Sequence, residues 1–405
     1  MSRFTPGGQL NRAWRVLGID RAVAYTLFSR GWQLLAGMGS VLFIARYLSP
    51  VQQGFQYTFA SLVGMQVFFE LGLTFVVMQF TSHEYAHLRW NAQGVLEGDE
   101  TAKARLASLL RITLKWYAVA AALLLGVLIP VGLMFFGGSA EAGEVGIWQL
   151  PWVLLVAATA GALLLSPLFA MLEGCGLVAQ VAQFRLGQDL ATYPLYWLGL
   201  VGGLGLMAAP LFQVLRLLIA AGWLFMRHRR FFGDQIRARL AAATIHWRTE
   251  IWPMQWKIAL SWVSGYFIFQ LYNPVLFMYF GPVEAGKMGM TLTLTAAVST
   301  LAMSWMNTKS PIFGQLVAHR DFPSLDHLFR RTLLQSLGAA FLGGVGLWLM
   351  VVLLHVQQLP LSQRTLEPLP FALLTAVAFL NVAISAQAVY LRAHKQEPFL
   401  WISVF

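Results

Sequence analysis

The sequence predicts an all-α fold, a polytopic transmembrane helical bundle, from three observations. Hydrophobic residues make up 58% of its 405 residues and charged residues only 11%. An average soluble domain carries roughly a quarter charged residues, so this chain cannot cover its surface with charge. Residues 145–172, 258–283, 332–354 and 369–391 hold no Asp, Glu, Lys or Arg, and each is long enough as a helix to cross a hydrocarbon core about 30 Å thick. Basic residues collect in alternate connections. Soluble enzymes are excluded. The single cysteine, Cys175, excludes an intrachain disulfide and a Cys-rich metal site.

In chain order, apolar stretches predict helices at 22–46, 56–80, 116–137, 148–172, 176–199, 204–226, 253–280, 288–312, 332–356 and 369–391. An eleventh begins near Pro398 and runs to Phe405. Of the 28 Lys and Arg residues, 22 fall in the N-terminal tail and the even-side connections 81–115, 227–257, 309–331 and 392–395. Three (Arg46, Lys287, Arg364) fall on the opposite side, and three lie inside spans. The positive-inside rule then puts the N-terminus in the cytoplasm. The net charge of +11 therefore points to anionic lipid headgroups along the basic run 227–239, not to nucleic acid. Trp116, Trp148, Trp152, Trp252 and Trp256 near span ends fit interfacial belts. The opposite-side connections are short, which leaves little room for an outer catalytic domain.

The first helix ends in Tyr47-Leu48-Ser49-Pro50-Val51-Gln52-Gln53-Gly54, and the seventh in Tyr279-Phe280-Gly281-Pro282-Val283-Glu284-Ala285-Gly286. Tyr, Pro, Val and Gly recur at one offset of 232. A tight outer turn needs Pro to stop one helix and Gly to let the next start close by. Six helices separate the copies, so they share an orientation. Such parallel repeats imply two pseudo-symmetric lobes about an axis along the membrane normal. The expected organisation is a six-helix lobe over 1–226, a cytoplasmic basic linker over 227–252 and a second lobe over 253–405. About 10–11 of an expected 12 helices are present, with the second lobe short by two.

Charges inside a membrane are costly and mark candidate sites. Arg30, Glu70, Arg185, Asp189 and Arg216 fall within expected spans, and Lys309 lies close to the cytoplasmic end of the eighth. They predict a net-cationic cavity open to the cytoplasm that accepts an anionic group, since the Arg fork makes paired bonds to phosphate. The bland readings stand beside this. Arg185 and Asp189, spaced i, i+4, can neutralise each other, and Lys309 can snorkel to headgroups. His83-Glu84-Tyr85-Ala86-His87 matches the zinc-protease pattern H-E-x-x-H, but a catalytic zinc wants a third protein ligand and Glu97 and Asp99 follow too soon. No metal is expected.

ARYLSPVQQGFQYTFASL followed by Glu70-Leu71-Gly72-Leu73 resembles the polysaccharide and O-antigen flippases of the multidrug/oligosaccharidyl-lipid/polysaccharide (MOP) exporter superfamily. MLEGCGLVAQ (171–180) and YLRAHKQEPF (390–399) look like that family's starts of helices five and eleven. The resemblance implies a bacterial inner-membrane transporter that moves an undecaprenyl-pyrophosphate-linked oligosaccharide by alternating access. It implies no covalent chemistry, no enzyme activity and no cofactor. Its expected partners are the lipid-linked oligosaccharide, membrane lipids, a glycan polymerase and a chain-length regulator. A cation-coupled multidrug antiporter of the same superfamily is the first alternative and predicts sites dominated by acids. A membrane glycan polymerase or ligase is the second and predicts a large outer loop.

Overall fold

A computed structural model describes residues 21–139, 143, 148–238, 245–318 and 320–394. It is helical almost throughout. The helices are α1 (Arg21–Tyr47), α2 (Pro50–Val63), α3 (Leu73–Tyr85), α4 (Glu100–Gly137), α5 (Gln149–Leu172), α6 (Val178–Val201), α7 (Ala208–Arg237), α8 (Trp252–Phe269), α9 (Tyr272–Ala318), α10 (Phe322–Val356) and α11 (Pro368–Ala393). Among the described residues, five stretches are long and apolar enough to cross a bilayer, or six with the bent pair Pro50–Glu70 and Leu73–Tyr85 taken as one span. One of the five, Gln149–Val201, holds two of the ten expected spans.

Boundaries differ from expectation where apolarity and helicity part company. α4 begins at Glu100, where Asp99 accepts from the Ala102 N–H at 2.9 Å as an N-cap. Half of the expected loop 81–115 is therefore helix. Its first residues, to Tyr85, end α3, and between the two helices stands a small antiparallel hairpin, β1 (Leu88–Trp90) and β2 (Leu96–Gly98). The Asn91 side chain closes its turn by accepting from the N–H groups of Gln93 and Val95. The expected span 253–280 is broken between α8 and α9, and Gly281, at φ 82, interrupts α9.

The described chain forms two compact units. Of the described residues, the first comprises those within 21–36, 65–134 and 148–262, and the second those within 37–64, 135–143 and 263–394. In the first, Leu96, Leu106, Leu110, Met171, Cys175 and Phe231 form a buried core beneath the hairpin. Trp90 on β1 donates to the Cys175 carbonyl at 2.9 Å and packs its ring 5.0 Å from Phe231. Cys175 is thus a small packing residue at the break between α5 and α6, where Gly176 takes φ 80. Lipid is as apolar as Leu, so helices in a bilayer associate through close packing more than through burial. Accordingly a Cβ on Gly132 would overlap the Trp152 ring, and one on Gly161 the Leu217 side chain.

Arg105 on α4 joins three segments of the first unit. It donates to Glu84 on α3 at 2.7 Å and to Glu250, just before α8, at 2.6 Å. The backbone N–H of His246, and then Arg105, hold the Glu250 carboxyl below its ordinary value of 4.5.

In the second unit the rings of Phe55, Phe59, Phe136 and Phe277 interlock at 4.8–5.4 Å. The turn between α1 and α2 is a capping box. Ser49 Oγ accepts from the Gln52 N–H at 3.1 Å, the Gln52 side chain accepts from the Ser49 N–H at 3.2 Å, and Pro50 opens α2. That turn meets the second copy of the motif. A Cβ on Gly54 would overlap the Pro282 carbonyl, and one on Gly286 would stand 3.0 Å from the Gly54 nitrogen. Gln53 donates to the Gly286 carbonyl at 2.9 Å, and Arg364 donates to the Leu48 carbonyl at 2.7 Å.

Candidate functional site

Glu70 sits where a span breaks. Leu71 takes φ 51 and Gly72 φ 65, and α3 restarts at Leu73 after a 45° bend. Glycine suits position 72 twice over: the left-handed backbone favours it, and a Cβ there would overlap Ile258. The Glu70 carboxylate accepts a short hydrogen bond from Thr74 Oγ1 and a longer one, at 3.5 Å, from Tyr117 Oη, while Thr74 and Tyr117 lie 2.7 Å apart. It has no basic partner among the described residues.

Asp189 on α6 is 0% exposed. Arg216 on α7 donates to one of its oxygens and Gln33 on α1 to the other, the latter at 2.7 Å. Gln188 donates to the Arg216 carbonyl at 2.7 Å and ties the same two helices. Toward the far end of α6 the cluster continues as rings: Tyr193 lies 5.3 Å from Phe212, Trp197 lies 6.4 Å from both Tyr193 and Trp32, and the Arg216 guanidinium stands 5.4 Å over Phe212.

The pairing expected between Arg185 and Asp189 is corrected. Arg185 bonds Glu173 at 3.0 Å across the α5–α6 break, and Asp189 takes its cation from the neighbouring helix. Lys309 is exposed on α9. The Arg30 backbone belongs to α1, and its side chain lies outside the described ones. The structure brings Asp189 and Arg216 together and keeps Glu70 in a separate group of its own. In the H-E-x-x-H segment, α3 ends at Tyr85, so His87 falls off the helix that carries His83, and Glu84 is held by Arg105. Among the described residues no three His, Cys, Asp or Glu side chains gather as a metal would need.

The second unit holds a cavity of about 610 Å³ between α2, α8, α9 and α11. Its lining has no charged residue and includes Tyr57, Gln270, Asn273, Thr293, Ser299 and Asn381. Thr293 and Ser299 spend their hydroxyl protons on carbonyls one turn back, at 2.8 and 3.0 Å, and so present lone pairs to the cavity. Asn273 is 5% exposed, and its Oδ1 has no partner among the described residues. Sequence reasoning missed this group because it sought charge. Gln270, Asn273 and Asn381, as uncharged polar residues within apolar runs, were the available signal. It also missed Gln33, Thr74, Tyr117 and Glu173, which gain meaning only from their partners in space.

No protein-family model and no curated protein sequence matches the chain. Solved structures do. One, described as the inward-facing conformation of a multidrug resistance MATE family transporter of the MOP superfamily, aligns with a TM-score of 0.58 and 14% identity, over 95% of this chain and 93% of that chain. Another, the MATE multidrug transporter DinF-BH solved as a complex, gives 0.49 and 12%, over 94% and 87%. The first likeness shows the fold: an all-α, multi-pass membrane bundle like that of the first structure.

Proposed function

We propose that the chain is a cation-coupled secondary transporter that exports amphiphilic substrates from the bacterial cytoplasm by alternating access, with Glu70 as the coupling acid. The carrying observation is the position of Glu70 at a helix break, among hydroxyls and without a basic partner among the described residues. An intramembrane acid without a counter-ion is costly unless it exchanges protons or binds a cation, and discontinuous helices are where transporters hold coupling ions. A lipophilic organic cation fits the ring group beside Asp189, since aromatic faces attract cations. Arg185 and Arg216 are each bonded to a carboxylate, so they offer a pyrophosphate less than the sequence promised. Orientation rests on the charge asymmetry, with the N-terminus in the cytoplasm.

The test is uptake of a fluorescent lipophilic cation into proteoliposomes under an imposed pH or sodium gradient. Glu70→Gln is expected to abolish gradient-driven transport while leaving substrate binding, and Glu70→Asp to retain part of the rate. A Glu70→Gln protein that transports at the wild-type rate overturns the coupling role.

The uncharged cavity of the second unit favours a second reading, flipping of a lipid-linked oligosaccharide. Its hydroxyl and amide lone pairs complement sugar O–H groups. Under that reading Asn273→Leu lowers surface glycan at matched expression and leaves organic-cation transport unchanged; unaltered glycan counts against it.

A further inference from the structure

We infer that the groove where α6 and α7 approach the basic end of α7 binds the headgroup of an anionic phospholipid. The groove is a cavity of about 660 Å³ lined by Gln180, Gln183, Phe184, Gln188, Trp223 and Arg227, among others. Arg227 is its one charge, and no carboxylate lines it. Nearby acids are spoken for or distant: Glu173 holds Arg185 at 3.0 Å, Asp189 holds Arg216, and Asp234 lies two turns beyond Arg227. The floor is rigid. Trp223 stacks on Phe169 at 5.8 Å and 3°, and on Phe184 at 4.4 Å and 21°.

The sequence around Arg227 has the layering of a membrane boundary. Phe225 and Met226 are 66% and 77% exposed, as suits side chains among acyl tails. Arg227, Arg229 and Arg230 follow at once, and the Arg229 guanidinium stands 6.0 Å over the Phe225 ring. Long cationic side chains at such a boundary reach headgroups. The combination selects among anions. A free phosphate dianion calls for more than one unpaired cation. A phosphodiester monoanion matches one guanidinium fork, and its glycerol hydroxyls match the amides of Gln180 and Gln183.

The test measures binding of phosphatidylglycerol, phosphatidylcholine and inorganic phosphate to the full chain in detergent, by native mass spectrometry and thermal stabilisation. Phosphatidylglycerol is expected to bind preferentially, with affinity falling as salt rises. Arg227→Gln should lose about fivefold in phosphatidylglycerol affinity, the share of one headgroup cation, and nothing toward phosphatidylcholine. Arg227→Lys should fall between. Arg237→Gln removes the same charge from the same helix outside the groove and should keep the preference. Gln183→Leu, which alters no charge, should also weaken the lipid and serves if Arg227→Gln fails to fold. Glu70→Gln should bind lipid normally, which separates this site from the coupling role. Equal losses in Arg227→Gln and Arg237→Gln, no headgroup preference, or displacement by equimolar inorganic phosphate would each overturn the proposal.

Discussion

Asp189 and Arg216 show what one buried ion pair demands of its surroundings. Asp189 spends both oxygens, one on Arg216 and one on Gln33. Asp189→Asn leaves the guanidinium without its counter-charge, and breaking such a pair costs about 3–5 kcal/mol. A marked fall in melting temperature in detergent is expected, and the double change Asp189→Leu, Arg216→Met should recover much of it. Glu250 gives a second residue-scale prediction, this time in pH. Its folded pKa is depressed by the His246 N–H and Arg105, so its contribution is present above about the ordinary 4.5 and is lost as pH falls through the lower folded value. Glu250→Gln should lower stability at neutral pH and change it least below the folded pKa, so that the acid limb of the stability profile flattens. The sequence flagged Arg185, Asp189 and Arg216 because charge in an apolar run is conspicuous. It could not assign their partners, because helix spacing favoured Arg185–Asp189 while the fold supplied Glu173 and Arg216 from other segments.

At the scale of elements, glycine sets how closely helices approach. Gly132 on α4 faces Trp152 on α5, whose indole has no room for a methyl group. Gly132→Ala should cost about 1–3 kcal/mol by overpacking, whereas Gly126→Ala on the same helix, with open space around its Cβ, should be neutral or mildly stabilising; thermal melts of the two variants check this. Most spans were legible because a bilayer requires long apolar runs. What lay beyond the apolar runs was not. The polar start of α4 over Glu100–Lys115 reads like a loop by composition, and hairpin strands of three residues are too short for alternation to register. The break at Leu71–Gly72 was hidden for a related reason: it lies inside one long, mostly apolar run, and only backbone angles reveal that the helix stops.

For the whole molecule, the side of each connection is the claim most open to a direct measurement. Cys175 is fully buried, so the chain has a low background for thiol labelling. Gln363→Cys, exposed between α10 and α11, should react with an impermeant reagent added outside intact cells, and Thr249→Cys, exposed before α8, should react only after permeabilisation. The reverse pattern would invert the orientation read from 22 basic residues against three. The repeat that joins the two halves of the sequence leaves a mark on present-day packing. Gly54 and Gly286 occupy the same motif position, and each lacks room for a side chain because the other copy is there. A contact between equivalent positions is what a two-fold symmetric dimer makes. The two glycines therefore form one joint constraint. Alanine at both should cost less than the two single changes added together, since the first substitution already forces the turns apart.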